Sequence, residues 1–267
     1  INNDKCVLEG TEIDILLPEY NVGIEVNGTY WHGLRMNNGK RHASLKKTHH
    51  QKASLASEVG IKLFQFWNFE IEQKPELIKS MIYNSIGLSN RVHARKCDII
   101  RSDNSNSKDF FEESHLQGHR NASAIYSLVI NNETQCAISF SRHKDYEWEI
   151  IRFACKKGIS VVGGFSRLLK HFIKEHKPKN ILTFADRRIS TGNLYIKNGF
   201  KQISITEPNY FYCKNNLVIS RQRCQKHKLL RLLGDSFKPD SSETENMLLN
   251  GFSKVYDAGH IKLVMDI

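Results

Sequence analysis

Two carboxylates, Asp14 and Glu25, lie in adjacent segments whose patterning reads as strands. Residues 12–17, Glu-Ile-Asp-Ile-Leu-Leu, alternate and stop at Pro18, and residues 22–27 form an apolar run with Glu25 inside it. The short connection Glu19-Tyr20-Asn21 makes a hairpin the economical arrangement. Across it, both carboxylates would face one pocket. Hard oxygen ligands of this kind suit Mg²⁺, with Mn²⁺ as a substitute, and such an ion keeps several of its waters. It would orient a water against phosphorus and offset charge on the leaving oxygen. Glu25 sits between Ile24 and Val26, where a charge is costly unless paired or metal-bound. Glu12 falls on the same side of its strand as Asp14. The bland alternative is a pair of strand acids facing solvent.

The residues that follow extend this constellation. Asn27-Gly28-Thr29-Tyr30-Trp31-His32 leaves the second strand, and Gly28 permits a sharp bend. Tyr30 and Trp31 suit stacking on a sugar or base, or a place in the core. His32 suits proton transfer at neutral pH, or a structural role. Residues 44–59 read as a helix stopped by Gly60, and His49 and Lys52, at i and i+3, share one of its faces. That face would meet a phosphate across from the carboxylates. Arg35, Lys40, Arg41, Lys46, Lys47 and Lys52 form a basic stretch without an acid, fitted to a phosphate backbone or simply to a solvated helix.

The elements that must hold these groups can be traced outward. Residues 61–67 read as a third strand, and a helix starts at Pro75 and continues to Ile86. Residues 102–107 are turn-rich, and a domain boundary is expected near residue 90. Beyond it, residues 123–130 and 134–141 pair around Asn131-Asn132, and residues 147–154 form another strand. Gly163-Gly164 precedes an amphipathic helix over 165–175. A strand over 180–185, a short helix closed by Gly199, a strand or hairpin over 210–221, a basic helix and a last hairpin-like segment complete the chain. There is no internal repeat and no low-complexity segment.

Composition bounds the function. The chain has 267 residues and 30.8 kDa, with 40% apolar and 25% charged residues, so two globular domains are expected. No apolar run approaches the roughly 18 residues a membrane helix needs. No secretory signal opens the chain, and its first residue, Ile1, suggests a start further upstream. Six cysteines with no CxxC pair argue against zinc or a disulfide framework and for a reduced, intracellular, cytoplasmic protein. The net charge of +11 points to a polyanion, nucleic acid before membrane. Residues 1–90 hold 10 basic and 10 acidic side chains, so the whole excess lies beyond them. Near the end Arg221, Arg223, Lys226, Lys228 and Arg231 occur with no acid between them.

Two family resemblances follow from these motifs. Glu12-Ile-Asp14, Gly23-Ile-Glu25-Val-Asn27-Gly28-Thr-Tyr30-Trp31-His32, His49-His-Gln-Lys52 and Gly60-Ile-Lys-Leu-Phe-Gln-Phe together resemble the PD-(D/E)XK nuclease superfamily. Within it, phage-type homing endonucleases and very-short-patch repair endonucleases are the most similar. The resemblance implies Asp14 and Glu25 as metal ligands, Asn27 in place of the motif lysine, and His32, His49 and Lys52 as proton-transfer or phosphate-contacting groups. The second resemblance is to GNAT-type acyltransferases. It rests on His93-Ala-Arg95-Lys96-Cys97, His115-Leu-Gln-Gly118, Gly163-Gly164-Phe-Ser-Arg-Leu-Leu and Asn193-Leu-Tyr195-Ile-Lys-Asn-Gly199-Phe200. In that family a glycine-rich turn at a helix N-terminus holds the pyrophosphate of acetyl-CoA. The turn here does not keep the usual register, so acetyl-CoA is not expected as a cofactor.

The expectation is therefore a mixed α/β protein: a PD-(D/E)XK-like domain over 1–90, a GNAT-like domain over 91–222 and a basic extension over 223–267. It would act as a Mg²⁺-dependent, site-specific deoxyribonuclease of phage type in a bacterial host. Double-stranded DNA would be held by Tyr30, Trp31, Arg35, Lys40, Arg41, Lys46, Lys47, Arg95, Lys96, Arg221, Arg223, Lys226 and Lys228, with no membrane partner. The alternatives are a GNAT-type acyltransferase acting on nucleic acid or protein, with the first domain as a recognition module, and a non-catalytic DNA-binding protein.

Overall fold

The computed structural model describes the chain except residues 9, 30–32, 35–41 and 216, and the side chains of residues 42–45. The elements in order are β1 (Asn2–Asp4), β2 (Ile13–Leu17), β3 (Val22–Asn27), α1 (His42–Glu58), β4 (Lys62–Trp67), α2 (Asn68–Gln73) and α3 (Pro75–Ser85). There follow β5 (Asn90–His93), β6 (Asp98–Ser102), α4 (Asn104–Ser114), β7 (Ala124–Ile130), β8 (Glu133–Arg142), β9 (Trp148–Cys155), β10 (Ile159–Val162) and α5 (Gly164–His176). The rest is β11 (Asn180–Asp186), α6 (Asn193–Ile196), β12 (Lys201–Ile205), β13 (Tyr210–Lys214), β14 (Leu217–Ser220), α7 (Lys226–Leu233), α8 (Glu243–Leu249), β15 (Ser253–Tyr256) and β16 (His260–Asp266).

Two compact units emerge, and neither is continuous in sequence. The first gathers Ile1–Phe69, Asp186–Thr191 and Ile205–His260, and the second Glu70–Ala185, Gly192–Ser204 and Ile261–Ile267. This differs from the sequential division expected at residues 90 and 222. Residues 223–267 form no separate extension. The last two strands do not form a hairpin either: β15 pairs with β13, while β16 enters the large sheet between β12 and β11. Local patterning shows that both segments are strands, but partner choice depends on residues some 50 positions away in sequence.

In the first unit a four-stranded sheet runs β1-β2-β3-β4. β2 and β3 pair antiparallel as a hairpin, and Asn21 takes the left-handed conformation that closes it (φ +52°). β4 joins β3 in parallel, which requires a crossover, and α1 supplies it. Leu8, Ile13, Leu16, Ala56, Ile61 and Leu63 form the core on one side of this sheet. A second small sheet, β14-β13-β15, packs Tyr212, Ile219, Cys224, Leu229, Met247 and Phe252 together. A complete capping box at Ser242 and Glu245 starts α8.

The second unit holds a seven-stranded sheet in the order β12-β16-β11-β9-β8-β7-β6. β6 through β9 are antiparallel neighbours, whereas β9 and β11 are parallel, linked by the crossover helix α5. Asn131 and Asn132 both adopt positive φ (+50° and +63°), the geometry of a tight two-residue hairpin turn. One face of the sheet packs on α5 through Tyr126, Ile138, Phe140, Trp148, Ile150, Phe165, Leu168 and Phe172. Phe111, Ile125, Ala137 and Ala154 form a separate cluster around α4. That helix fills the stretch expected as a turn, because Asp103 caps it by accepting from the Asn106 N–H at 2.7 Å. Among the described residues no helix is long and apolar enough to cross a membrane, and all six cysteines are free thiols.

Candidate functional site

In the first unit the hairpin sets Asp14 beside Glu25, and their carboxylates bond across it. Glu25 Oε1 accepts from the Asp14 N–H (3.2 Å), and Asp14 Oδ2 accepts from the Val26 N–H (2.7 Å). Glu25 is only 4% exposed, and Lys52 Nζ reaches its Oε2 at 2.6 Å from α1. Burial pushes the Glu25 carboxyl above its ordinary range, and the Lys52 ammonium pulls it back only in part. One turn before Lys52, His49 Nδ1 hydrogen-bonds Gln65 Oε1 (3.0 Å), and Gln65 Nε2 donates to the His49 carbonyl (3.1 Å). The His49 ring meets Trp67 edge-on at 4.9 Å. Gln65 stands beside Glu25 in the parallel ladder and is fully buried, as is the Asn27 amide, whose Nδ2 has no hydrogen-bond partner among the described residues. Gln65 was not singled out from sequence; its signal is a lone amide inside the apolar run Leu63-Phe64-Gln65-Phe66.

Not every expected residue joins this group. Glu12 turns away to Lys5 (3.3 Å). Lys46 pairs with Glu207 (3.1 Å), and Lys47 is exposed. Arg223 and Lys226 are exposed, Arg221 lies over the Tyr210 ring (5.0 Å), and Lys228 bonds the Gln222 carbonyl (2.8 Å) and Gln225 Oε1 (2.9 Å). Arg95 and Lys96 belong to the second unit and are exposed. Tyr30, Trp31, His32, Arg35, Lys40 and Arg41 lie outside the described residues. Among the described residues no group of three or more His, Cys, Asp or Glu side chains could hold a metal ion.

The second unit contains a different opening. β9 and β11 are paired only at Trp148/Ile181, Glu149/Leu182 and Ile150/Thr183, although β9 runs on to Cys155 and β11 to Asp186. A bulge in the β8–β9 register at Ser139/Phe140 bends β9 where the pairing stops. The two parallel strands therefore diverge and leave backbone N–H and C=O groups along the gap. The side chain of Thr183, the last paired residue of β11, lies near the Tyr195 hydroxyl and lowers its pKa. The Tyr195 ring is wedged against Phe165 (5.3 Å) and Phe200 (5.7 Å), and burial raises its pKa, so it stays a neutral proton carrier.

Gly163 and Gly164 form the turn into α5. Gly163 is the helix N-cap, with φ +76°, a conformation that favours glycine. A side chain at Gly164 would meet Cys136 Sγ and Val161 at 3.0 Å, so its hydrogen is needed for close packing. Arg167, one turn on, donates to the carbonyls of Ala94 and Cys97 and ties the His93–Cys97 motif to this helix.

No protein-family model matches the sequence, and no curated protein does. Solved structures that it resembles are acetyltransferases. IAA acetyltransferase from Bacillus cereus ATCC 14579 matches at 13% identity over 64% of this chain and 99% of that one, with a TM-score of 0.38. An acetyltransferase from Bacillus subtilis in complex with CoA matches at 16% identity over 64% and 99%, with a TM-score of 0.35. The ribosomal-protein-S18-alanine N-acetyltransferase of Escherichia coli matches at 11% identity over 64% and 94%, with a TM-score of 0.40. At these values the likeness transfers no residue role.

These neighbours correct the sequence-based reading. They are transferases, not deoxyribonucleases, and the expectation of a PD-(D/E)XK endonuclease with Mg²⁺ as cofactor is overturned. The expectation that acetyl-CoA is not a cofactor is contradicted as well, the Bacillus subtilis neighbour being in complex with CoA. The physical reason for the first error lies in Lys52. A buried carboxylate needs a counter-charge, and the spacing of Asp14 and Glu25 does not reveal that an ammonium from α1 supplies it.

Proposed function

We infer that the second unit is a GNAT-type acyltransferase, taking an acyl group from a coenzyme A thioester. The observation that carries this is the divergence of the parallel strands β9 and β11 after Ile150 and Thr183. An open, ordered strand edge accepts an extended chain that carries its own amides, as coenzyme A does in its pantetheine arm. The residues present fit such a chain. The backbone beyond the last pair is free of the β9–β11 ladder, and the Gly163–Gly164 turn opens α5, whose first-turn N–H groups have no carbonyls behind them. Helix N-termini of this kind favour phosphate. Phe165 follows Gly164 where the family pattern uses a small residue, so the phosphate would rest on backbone alone.

Acyl-CoA supplies an activated thioester, whose transfer needs a proton for the departing sulfur. Tyr195 holds a proton on its hydroxyl near the point of divergence, kept there by burial. Glu149, half-buried on β9 beside the last paired residues, is the carboxylate placed to take a proton from the acceptor. The first unit serves as the recognition module. Its exposed Lys47, Arg223 and Lys226 support nucleic acid, double-stranded DNA first, as the surface it engages. Titration calorimetry with acetyl-CoA tests the reading: saturable binding is expected, and its absence contradicts the reading. DNA binding that does not weaken with added salt would contradict the recognition role.

A further inference from the structure

The acyltransferase reading leaves the acceptor open, and Arg152 narrows it. This residue lies on β9 just beyond the point where β11 departs, and it is half-buried. Its Nε donates to the Gly118 carbonyl at 3.0 Å, and one Nη1 hydrogen goes to the Ile151 carbonyl at 2.9 Å. A guanidinium has five N–H donors, so three remain. No carboxylate among the described residues pairs with it. Glu112 and Glu149 are the nearby acids, and Glu112 Oε1 instead accepts the His119 N–H (3.2 Å). Burial, joined by the positive charge of Arg120, draws the Arg152 pKa down to about 10 against the opposing pull of Glu149 and Glu112.

Two further polar groups lie on neighbouring residues and have no hydrogen-bond partner among the described residues. Ser139 is the cross-strand partner of Arg152, so the two side chains leave the same face of the sheet. Ser139 is fully buried, and its hydroxyl has no hydrogen-bond partner among the described residues. His119, next to the Gly118 carbonyl that Arg152 grips, has a buried Nε2 that is also unpartnered. Arg120 adds a second positive charge beside Arg152. Gly118 shapes the turn: its φ is +64°, and an added Cβ would lie 2.4 Å from Glu112 Oε2. This is the His115-Leu-Gln-Gly118 motif, which the proposed transfer chemistry does not otherwise use. Buried polar groups without partners, such as Ser139 and His119, are costly, and an anion held by the remaining Arg152 N–H groups would offset that cost where it reaches them.

We propose that Arg152, with Ser139, His119 and Arg120, forms an anion pocket that recognises a carboxylate or phosphate group on the acceptor of the acyl transfer. The proposal rests on the acyltransferase reading for the word acceptor, while the anion pocket stands on its own geometry. The planar guanidinium fork suits either oxyanion, in two parallel hydrogen bonds.

The test follows the Arg152 Nε–H signal of the full-length protein by NMR, assigned by its loss in Arg152→Lys. Sodium phosphate, sodium acetate and sodium chloride are titrated in turn, to concentrations well above about 1 mM, where weak single-anion sites saturate. Saturable movement with phosphate only indicates a phosphorylated acceptor, with acetate only a carboxylate-bearing one, and with both an oxyanion pocket of broader choice. Ser139→Ala should weaken that binding about tenfold, the loss of one charge-assisted hydrogen bond. A signal that does not move, or moves equally with chloride, overturns the proposal. Calorimetry with CoA on the same sample separates the two readings: CoA binding with an unmoved Arg152 removes the pocket, and a moving Arg152 without CoA binding removes the acyltransferase.

Discussion

Substituting Lys52 by Met should destabilise the first unit strongly, and by an amount that depends on pH. Lys52 Nζ lies 2.6 Å from Glu25 Oε2, with the two side chains only 16% and 6% exposed. Removing one partner of such a buried pair costs about 3–5 kcal/mol, because the remaining charge has no water to turn to. Burial already holds the Glu25 pKa above its unfolded value, and Lys52 is the main influence lowering it. Folded Glu25 therefore binds more proton than unfolded Glu25 between the two pKa values. Stability from this group is complete below the unfolded pKa and falls as pH rises through the folded one. Losing Lys52 leaves burial and Asp14, both of which raise the pKa, so the window extends upward. At neutral pH the variant must bury an unpaired carboxylate or hold it protonated against the solution. At a pH near 4 the carboxyl is mostly protonated in both states, and the cost should shrink toward about 1 kcal/mol. Urea unfolding followed by far-UV circular dichroism at both pH values measures this. Glu25→Gln combined with Lys52→Met should recover most of the loss, since the amide still accepts the Asp14 N–H. A cost below about 1 kcal/mol at neutral pH, as for a surface pair, or the same cost at both pH values, would refute the reasoning.

Three further outcomes are expected. Tyr195→Phe should lower acyl-transfer kcat about 10²–10⁴-fold while leaving KM for acyl-CoA nearly unchanged, because the ring still packs on Phe165 and Phe200 and only the proton is lost; steady-state kinetics with acetyl-CoA decides, and a changed KM at full kcat would contradict the role. Gly118→Ala should cost about 1–2 kcal/mol, since an L side chain is strained at φ +64° while the Glu112 carboxylate can swing aside for the new methyl; a thermal midpoint equal to wild type would show the turn to be permissive. Ser242→Ala should cost about 1 kcal/mol, as Ser242 Oγ accepts the Glu245 N–H (3.2 Å) at the start of α8; hydrogen exchange in that helix should speed up accordingly, and unchanged rates would count against the cap.

Local elements were largely legible in the sequence, because they are local. The run Val22–Asn27, the Asn131–Asn132 turn, and the Gly163–Gly164 entry to a helix ending at His176 all follow from side-chain period and backbone preference. The α4 helix was missed because Ser102 to Ser107 lacks apolar residues, and its stability comes from the Asp103 cap and from burying Phe111. The routing of β13, β14 and β15 into the first unit, and of β16 into the large sheet, was not legible, since strand partners are chosen by distant residues. The candidate site divided in the same way. Asp14, Glu25, His49 and Lys52 stood out as charges in strand and helix patterns, and the structure brings them together around Gln65. The gap between β9 and β11 had no signature, because a pairing that stops is invisible in strands of ordinary composition. Arg152 looked like any strand arginine until its neighbours were known.

Hydrogen–deuterium exchange with and without acetyl-CoA tests the central claim most directly. Bound coenzyme should slow exchange at the amides of residues 151–155 and 184–185, where the strands part, and at the α5 entry around Gly163 and Gly164. Binding that protects other segments and leaves these unchanged, or no protection at saturating acetyl-CoA, would contradict it.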